Sequence, residues 1–190
     1  MISRCDIENN KIIVIKDFPS NAERVDFWHH ANTCDYSYSQ KSDVYIGQKQ
    51  TRLAHNFDPL QFEQTTFFER IKHNIDKPIR LMQAYINYAE SSTLNFPHCD
   101  SYHGHVLSIL VCLNQDWHRN WGGYTSFFKD ISSNDIIETV VPEPGKAIFF
   151  NGRLFHTATP PNITSQVPRF MLAIKIEWLE NEIETEKEEI

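Results

Sequence analysis

The first part of the chain, up to about residue 78, has apolar positions at mostly helical spacing, apart from one short apolar segment. Residues 11–16 (KIIVIK) form that segment, and their β-branched side chains predict a short strand. Ser20 or Asn21 can then cap a helix that runs to about Asn32. We expect its buried positions to include Val25, Phe27 and Trp28.

A second helix is predicted a little further along the chain. Asp58 and Pro59 begin it, and it runs to about Ile75, because Pro78 prevents much further extension. Its apolar positions recur at helical spacing and indicate one face packed on a core. These positions are Phe62, Phe67, Phe68 and Ile71.

From Ile79 onward the pattern changes to that of strands. Alternation over residues 79–88 places Leu81, Gln83, Tyr85 and Asn87 on one predicted face. The other predicted strands are residues 106–113, the segment after the Gly-Gly pair at 122–123, and residues 136–141, 147–150 and 169–178. Short strands separated by turns predict a mainly β fold with two facing sheets and flanking α-helices.

The net charge and the apolar runs exclude some classes of function. A formal charge of −7 argues against a nucleic-acid partner, because nucleic-acid-binding surfaces are normally basic. The longest apolar run, residues 106–113, is far shorter than the roughly 20 residues of a membrane span. No apolar signal segment is seen at the start, so we expect a cytoplasmic protein.

A large share of the negative charge lies at the C-terminus, in six glutamates among the last eleven residues. Such a run is typical of a solvated acidic tail. The glutamates are Glu180, Glu182, Glu184, Glu186, Glu188 and Glu189. Without them the chain is nearly neutral.

The cysteines and several histidines have simple interpretations. No two cysteines form a CxxC pair, so we expect four free thiols, two of them buried. They are Cys5, Cys34, Cys99 and Cys112. On the predicted helices, His29, His30 and His73 are interpreted as surface residues.

One pair of residues has the spacing of a metal site. His98 and Asp100 are two positions apart, and in an extended chain such residues point to the same side. His156, at the end of the strand segment 147–150, is the expected third ligand. Two histidines and one carboxylate leave open positions on an octahedral ion, the arrangement typical of Fe(II) oxygenases.

Arg169 follows at the start of the last apolar strand. Its guanidinium is always charged and presents a bidentate fork to a carboxylate. An arginine at the start of such a strand is expected to be buried only with an anionic partner. We therefore expect it to hold the distal carboxylate of a keto-acid co-substrate.

These features, in their order along residues 80–178, resemble the 2-oxoglutarate/Fe(II) dioxygenase superfamily, and in particular its prolyl-4-hydroxylase-like branch. The motifs that carry the resemblance are Tyr85-Ile-Asn87, His98-x-Asp100, Leu113-Asn114, Trp121-Gly-Gly-x-Thr-x-Phe-Phe, Pro142-x-Pro-Gly145, Ala147-Ile-Phe-Phe150, His156 and Arg169. The resemblance implies a double-stranded β-helix (jelly-roll) core with the metal at its open mouth. We expect one domain over residues 1–190, with an N-terminal support at 1–78, the core at 79–178 and the acidic tail at 179–190.

The resemblance also implies the chemistry. Fe(II), 2-oxoglutarate and O₂ are the expected cofactor and co-substrates, and ascorbate is a candidate reductant. The expected ligands of the metal are His98, Asp100 and His156, and the expected residues for 2-oxoglutarate are Arg169, Tyr85 and Asn87. Candidate substrate residues are His103, Trp121 and Tyr124. The side chains expected to line the site and exclude water from it are Phe127, Phe149 and Phe150. Many relatives carry Glu at the position of Tyr124, and some carry Lys at that of Arg169.

The implied reaction is hydroxylation of a peptidyl proline or another amino-acid residue. A free amino acid or another small molecule is the alternative substrate. An alternative from a different class is a cupin-like metal site, in which His103 and His105 join His156 as three histidine ligands, or a non-catalytic jelly-roll binding module that uses His103 and His105. By position, residues 36–45, with Tyr36, Tyr38 and Tyr45, are a candidate lid over the site.

Overall fold

The computed structural model describes residues 1–42 and 49–179. Its helices are α1 (Arg4–Glu8), α2 (Asn21–Thr33), α3 (Pro59–Glu63) and α4 (Thr66–Asn74), with a 3₁₀ turn at Arg119–Trp121. Its strands are β1 (Ile13–Ile15), β2 (Ser37–Ser42), β3 (Lys49–Asn56), β4 (Ile79–Ala89), β5 (Val106–Cys112), β6 (Thr125–Phe128), β7 (Ile136–Val140), β8 (Ala147–Asn151), β9 (Phe155–Ala158) and β10 (Arg169–Trp178).

The described strands form two antiparallel sheets that enclose the candidate site. The large sheet has the order β1-β8-β5-β10-β4-β3-β2, and the small sheet has the order β7-β6-β9. One apolar cluster lies between the two sheets, with Phe127 and Phe150 among its members. A larger cluster lies between the other face of the large sheet and the helices, and includes Phe67 and Ile71. The predicted jelly-roll core with flanking helices is confirmed.

The first segment of the chain contributes more than helices to this fold. Strands β1, β2 and β3 extend the large sheet at its two edges, and β3 pairs directly with β4. Helix α2 begins with a complete capping box, in which Ser20 and Glu23 each accept a hydrogen bond from the other's backbone N–H. This part of the chain therefore completes the sheet that carries the site.

Strand β4 departs from simple alternation. Its register against β10 shifts between Lys175 and Ile176, which marks a bulge. As a result Leu81 lies in the helix-side cluster, whereas Tyr85 lies in the cluster between the sheets. The prediction that Leu81 shares a face with Tyr85 is wrong, because the extra residue at the bulge reverses the alternation.

Two details of the predicted helices are also wrong. The second helix is two helices, because Thr65 accepts a hydrogen bond from the N–H of Phe68 and caps a new helix after α3 ends. Val25 is 56% exposed, although Phe27 and Trp28 pack against the core as expected.

The four cysteines are free, and two of them are buried, as predicted.

Parts of two predictions lie outside the described residues: Tyr45 of the candidate lid, and the acidic tail after residue 179. Within the described part of the lid segment, Tyr36 packs on the helix-side cluster and donates a hydrogen bond to the carbonyl of Ala31. Tyr36 thus lies on the face of the large sheet opposite the site, which contradicts a lid role for this residue. No helix in residues 1–42 and 49–179 is long and apolar enough to span a membrane.

Candidate active site

The structure brings His98, Asp100 and His156 together. One donor atom of each lies within 4.8 Å of the donor atoms of the other two. The Nε2 atom of His98 is 3.9 Å from Oδ1 of Asp100, and Nε2 of His156 is 3.8 Å from Oδ2. His156 lies on β9 of the small sheet, so it belongs to a separate strand and does not end the preceding one as predicted.

Backbone pairing positions the first two of these residues against the third. His98 and His156 exchange two backbone hydrogen bonds, each of 2.9 Å. The N–H of Asp100 then donates to the carbonyl of Gly152 at 2.8 Å. The short extended segment around His98 is therefore attached to the β8–β9 turn, and its i, i+2 geometry points both side chains toward His156.

Both imidazole rings are oriented by their backbone. Nδ1 of His98 lies 3.0 Å from the carbonyl oxygen of Phe96, and Nδ1 of His156 lies 2.9 Å from that of Leu154. In a neutral ring, a donor Nδ1–H leaves the lone pair on Nε2 for a metal. Such a second hydrogen bond is the usual way in which proteins orient ligating histidines.

The carboxylate of Asp100 is buried and held at both oxygens. The Ser108 hydroxyl donates to Oδ2 at 2.8 Å, and Nζ of Lys175 lies 2.7 Å from Oδ1. The Lys175 side chain is 10% exposed and that of Asp100 is 6% exposed, so this ion pair lies inside the protein. Two imidazole nitrogens and one oriented carboxylate form a donor set that fits Fe(II) with open positions.

Aromatic side chains cover His156. The ring of Phe150 contacts it edge-on with centroids 4.8 Å apart, and that of Phe127 lies at 5.9 Å. Phe149 does not join them, because alternation along β8 places it in the helix-side cluster. Two of the three predicted wall residues thus line the site, and the third stabilises the opposite face of the sheet.

Arg169 is buried in the same cavity as the three candidate ligands. Its Nη2 donates to the Thr125 hydroxyl at 3.0 Å, while its Nε is buried without a hydrogen-bond partner among the described residues. Burial lowers the pKa of Arg169 to about 10, and the nearby Cys112 acts in the opposite direction. The guanidinium therefore stays charged at neutral pH, and no described carboxylate lies within salt-bridge distance of it.

The Trp-Gly-Gly element makes room for this arginine. Gly123 has a φ of +75°, and a Cβ there would lie 2.9 Å from Trp117 Cζ2 and 3.0 Å from Arg169 Cδ. Trp117 is itself held by a hydrogen bond from its indole N–H to the carbonyl of Gly122. The glycine pair and the following Thr125 thus shape and orient the Arg169 side chain.

The expected co-substrate residues Tyr85 and Asn87 also line this cavity. The Asn87 Oδ1 atom is buried without a hydrogen-bond partner among the described residues. Arg52 of β3 places its guanidinium 4.0 Å from the centre of the Tyr85 ring. A buried polar atom with no partner is costly, so this cavity has the character of a ligand site.

The candidate substrate residues lie elsewhere. His103 and Tyr124 do not line this cavity, and Trp121 packs edge-on against Trp117. The hydroxyl of Tyr124 donates to the carbonyl of Arg119. His103 and His105 are exposed and contribute no donor to the triad cluster within the described chain, so the geometry does not favour the cupin-like alternative.

Sequence reasoning missed three residues of this site. Lys175 and Ser108 bind the carboxylate of Asp100, and Arg52 covers Tyr85. Two of them left a visible signal, because Lys175 and Ser108 are polar residues inside strands that are otherwise apolar. Arg52 left none, since its strand is polar and was not predicted.

Comparisons with known proteins place this geometry in a family. Residues 84–176, which include the three candidate ligands and Arg169, match the family model described as the 2OG-Fe(II) oxygenase superfamily. No curated protein sequence matches the chain significantly.

Solved structures share the fold at low sequence identity. The non-haem α-ketoglutarate-dependent epimerase SnoN from nogalamycin biosynthesis is 15% identical, with a TM-score of 0.64, over 92% of this chain and 81% of its own. HygX from Streptomyces hygroscopicus with nickel and 2-oxoglutarate bound is 12% identical, with a TM-score of 0.63, over 90% and 84%. A Pseudomonas putida prolyl-4-hydroxylase is 12% identical, with a TM-score of 0.61, over 93% and 97%. The family match identifies residues 84–176 as a 2OG-Fe(II) oxygenase domain, a family whose enzymes use Fe(II), 2-oxoglutarate and O₂, and the solved structures show that the chain shares the fold of such proteins.

Proposed function

We propose that this chain is a single-domain 2-oxoglutarate-dependent hydroxylase in which His98, Asp100 and His156 hold Fe(II) and Arg169 holds the distal carboxylate of 2-oxoglutarate. One observation carries the proposal. Arg169 is a buried permanent charge with no described carboxylate partner, and it lines the same cavity as the three candidate ligands. Burying an uncompensated charge is expensive, and an anionic ligand in this cavity would compensate it.

The other residues around the proposed iron site orient its ligands and exclude water. Bound Fe(II), O₂ and 2-oxoglutarate supply the oxidising chemistry. Lys175 and Ser108 orient the carboxylate of Asp100, and the backbone carbonyls at Phe96 and Leu154 orient the two imidazoles. Phe127 and Phe150 exclude water from the side of His156, which limits uncoupled reactions.

Tyr85 and Asn87 have different proposed roles in the cavity. The Tyr85 hydroxyl is a donor that suits an oxygen of 2-oxoglutarate. The unpaired Oδ1 of Asn87 is an acceptor, and a carboxylate offers it no hydrogen. We therefore assign the Asn87 oxygen to an N–H or hydroxyl group of the substrate.

A peptidyl proline is the proposed substrate. The support is the Pseudomonas putida prolyl-4-hydroxylase, of whose chain the superposition covers 97%. A small molecule is the second candidate, because HygX has also been solved with nickel, 2-oxoglutarate and hygromycin B bound, at a TM-score of 0.63. The unpaired Asn87 acceptor is compatible with either class, since both supply N–H or hydroxyl donors.

The test is turnover by the purified, iron-loaded enzyme with proline-containing peptides and, separately, with free amino acids and aminoglycosides. We expect succinate formation that depends on a peptide, and a product heavier by one oxygen atom, located to proline by fragmentation. Asp100→Asn should abolish both signals. Oxygen incorporation into a small molecule alone would contradict the peptidyl assignment, and succinate formation without any dependence on His98 would contradict the proposed site.

A further inference from the structure

A second group of possible metal ligands lies on the opposite face of the large sheet. One donor atom each of His30, Cys34 and His55 lies within 4.8 Å of the other two. His55 of β3 pairs with Ile86 of β4, whose side chain lies in the helix-side cluster. Tyr85, the residue before Ile86, faces the candidate active site. This group is therefore separated from the triad by the thickness of the sheet.

Two elements bring these residues together. His30 and Cys34 are four positions apart at the C-terminal end of α2, where such spacing places side chains on one face. His55 lies near the end of β3. The expectation that His30 is a surface residue is wrong, because its ring is half-buried and stacks on Phe57 with centroids 5.1 Å apart.

The ring nitrogens have the pattern of ligating histidines. Nδ1 of His55 lies 3.0 Å from the carbonyl oxygen of Asp35, so a neutral ring that donates there presents its lone pair on Nε2. Nε2 of His30 is buried without a hydrogen-bond partner among the residues described. Ring packing explains where the two imidazoles lie, 4.8 Å apart, but it leaves this buried nitrogen unsatisfied.

The chemistry of the donors selects the metal. One thiol and two imidazoles form a borderline-soft set that suits zinc and disfavours Ca²⁺ and Mg²⁺, which prefer oxygen ligands. The contacts of Phe57 with His30 and of Phe57 with His55, at 5.1 and 5.3 Å between centroids, hold both rings in place before an ion arrives. We propose that His30, Cys34 and His55 bind one Zn²⁺ ion that joins the end of α2 to β3, with water as the fourth ligand.

This zinc site has a consequence for the cavity on the other face. Strand β3 also carries Arg52, whose guanidinium lies 4.0 Å from the ring centre of Tyr85. A cross-link between α2 and β3 fixes the strand that holds Arg52 over Tyr85. The ion thus has a structural role. The binding of Zn²⁺ to these three residues does not depend on the assignment of the other cavity to an oxygenase.

Cobalt titration of the metal-free protein tests the thiol ligand. Co²⁺ replaces Zn²⁺ in such sites, and its bond to a thiolate gives a near-ultraviolet charge-transfer band that imidazole and carboxylate ligands do not give. We expect the band in the wild type and in His156→Ala, which lacks a ligand of the candidate iron site. It should be lost in Cys34→Ser and retained in the matched control Cys5→Ser, whose thiol is exposed elsewhere.

Thermal unfolding with Zn²⁺ alone provides the second measurement, made in the His156→Ala background so that the candidate iron site does not contribute. At Zn²⁺ about 100-fold above its dissociation constant, we expect the melting temperature to rise by about 5–10 °C. His55→Ala should abolish this rise, and His29→Ala, an exposed neighbour on α2, should retain it. Absence of the cobalt–thiolate band in folded wild-type protein, or an unchanged zinc effect in His55→Ala, would overturn the proposal.

Discussion

The ammonium group of Lys175 lies 2.7 Å from Oδ1 of Asp100, and both side chains are nearly inaccessible to solvent. The Ser108 hydroxyl holds the other carboxylate oxygen. The candidate metal ligand is thus oriented by two side chains that come from two neighbouring strands of the large sheet, β5 and β10. This arrangement makes Lys175 a positioning residue, because it acts on the metal through Asp100.

Replacing this lysine should weaken iron binding. In Lys175→Met the carboxylate loses its cation, and we expect Fe(II) affinity to fall by about 10–100-fold, the usual effect of losing an outer-shell partner. Anaerobic Fe(II) titration measures this change. Lys175→Arg should restore part of the affinity. Lys146→Met is the matched control, because Lys146 is also buried and pairs with Glu143 away from the site. Equal affinities in all four proteins would contradict a positioning role.

Arg169→Met should separate stability from co-substrate binding. Because Arg169 is a buried charge without a described carboxylate partner, removing it should leave the free energy of unfolding of the ligand-free protein unchanged, or raise it by up to about 3 kcal/mol. Adding 2-oxoglutarate at about 100 times its dissociation constant should stabilise the Fe(II)-loaded wild type by about 2.7 kcal/mol, and it should stabilise the Fe(II)-loaded variant by at most about 1.4 kcal/mol, because the affinity falls about 10-fold or more. Urea unfolding under nitrogen measures both effects.

The exposed Arg153→Met is the control for the loss of one positive charge. It should retain the stabilisation by 2-oxoglutarate. A variant at Arg169 that unfolds more easily but is stabilised by 2-oxoglutarate as much as the wild type would show that this arginine is structural.

Gly123→Ala should displace the side chain of Arg169 by a steric clash. The new Cβ would lie within 3.0 Å of atoms of Trp117 and Arg169, at a φ of +75° that alanine rarely adopts. We expect a loss of about 2–4 kcal/mol of stability and weaker binding of 2-oxoglutarate. Gly104→Ala, where the nearest atom is 3.9 Å away, should have little effect on either. Similar stabilities of the two variants would contradict this account of the Gly-Gly pair.

The contribution of Glu23 to the free energy of unfolding should depend on pH. Burial by itself raises the pKa of this carboxyl, but hydrogen bonds from Ser20 and Arg70 outweigh it, so that the pKa is lower in the folded protein. A lowered pKa stabilises the fold above the ordinary carboxyl range, and this contribution disappears as the pH falls through the folded pKa. The difference in unfolding free energy between the wild type and Glu23→Gln should therefore be largest near neutral pH.

The same difference should begin to shrink below about pH 4, where the carboxyl is protonated first in the unfolded chain, and it should be lost as the pH falls through the folded pKa. Urea unfolding at several pH values measures it. Glu69→Gln, an exposed change on α4, is the control, and its difference from the wild type should stay small. A Glu23→Gln difference that is constant from neutral to acidic pH would contradict the role of Glu23.

The sequence predicts the candidate ligands because the chemistry is local. His98 and Asp100 are two positions apart in an extended segment, and Arg169 begins an apolar strand that buries it. The buried residues of β5 and β10 likewise follow from their continuous apolar runs. For these elements, periodicity and residue type are sufficient.

Other features depend on contacts that no local pattern encodes. Lys175 meets Asp100 only because β10 pairs with β5, and Arg52 reaches Tyr85 through β3, a polar strand that has no apolar alternation. The bulge in β4 reverses the face of Leu81 without a glycine or proline to mark it. His30 and His55 meet because the end of α2 packs on that same strand. Tertiary pairing decides each of these positions.

The most direct test of the central claim is anaerobic absorbance titration of the protein with Fe(II) and then 2-oxoglutarate. We expect a visible metal-to-ligand charge-transfer band in the wild type, no band in His98→Ala, and in Arg169→Met a band that appears only at about 10-fold or more higher 2-oxoglutarate. A folded, iron-loaded wild type that shows no band with 2-oxoglutarate would contradict the assignment of this cavity.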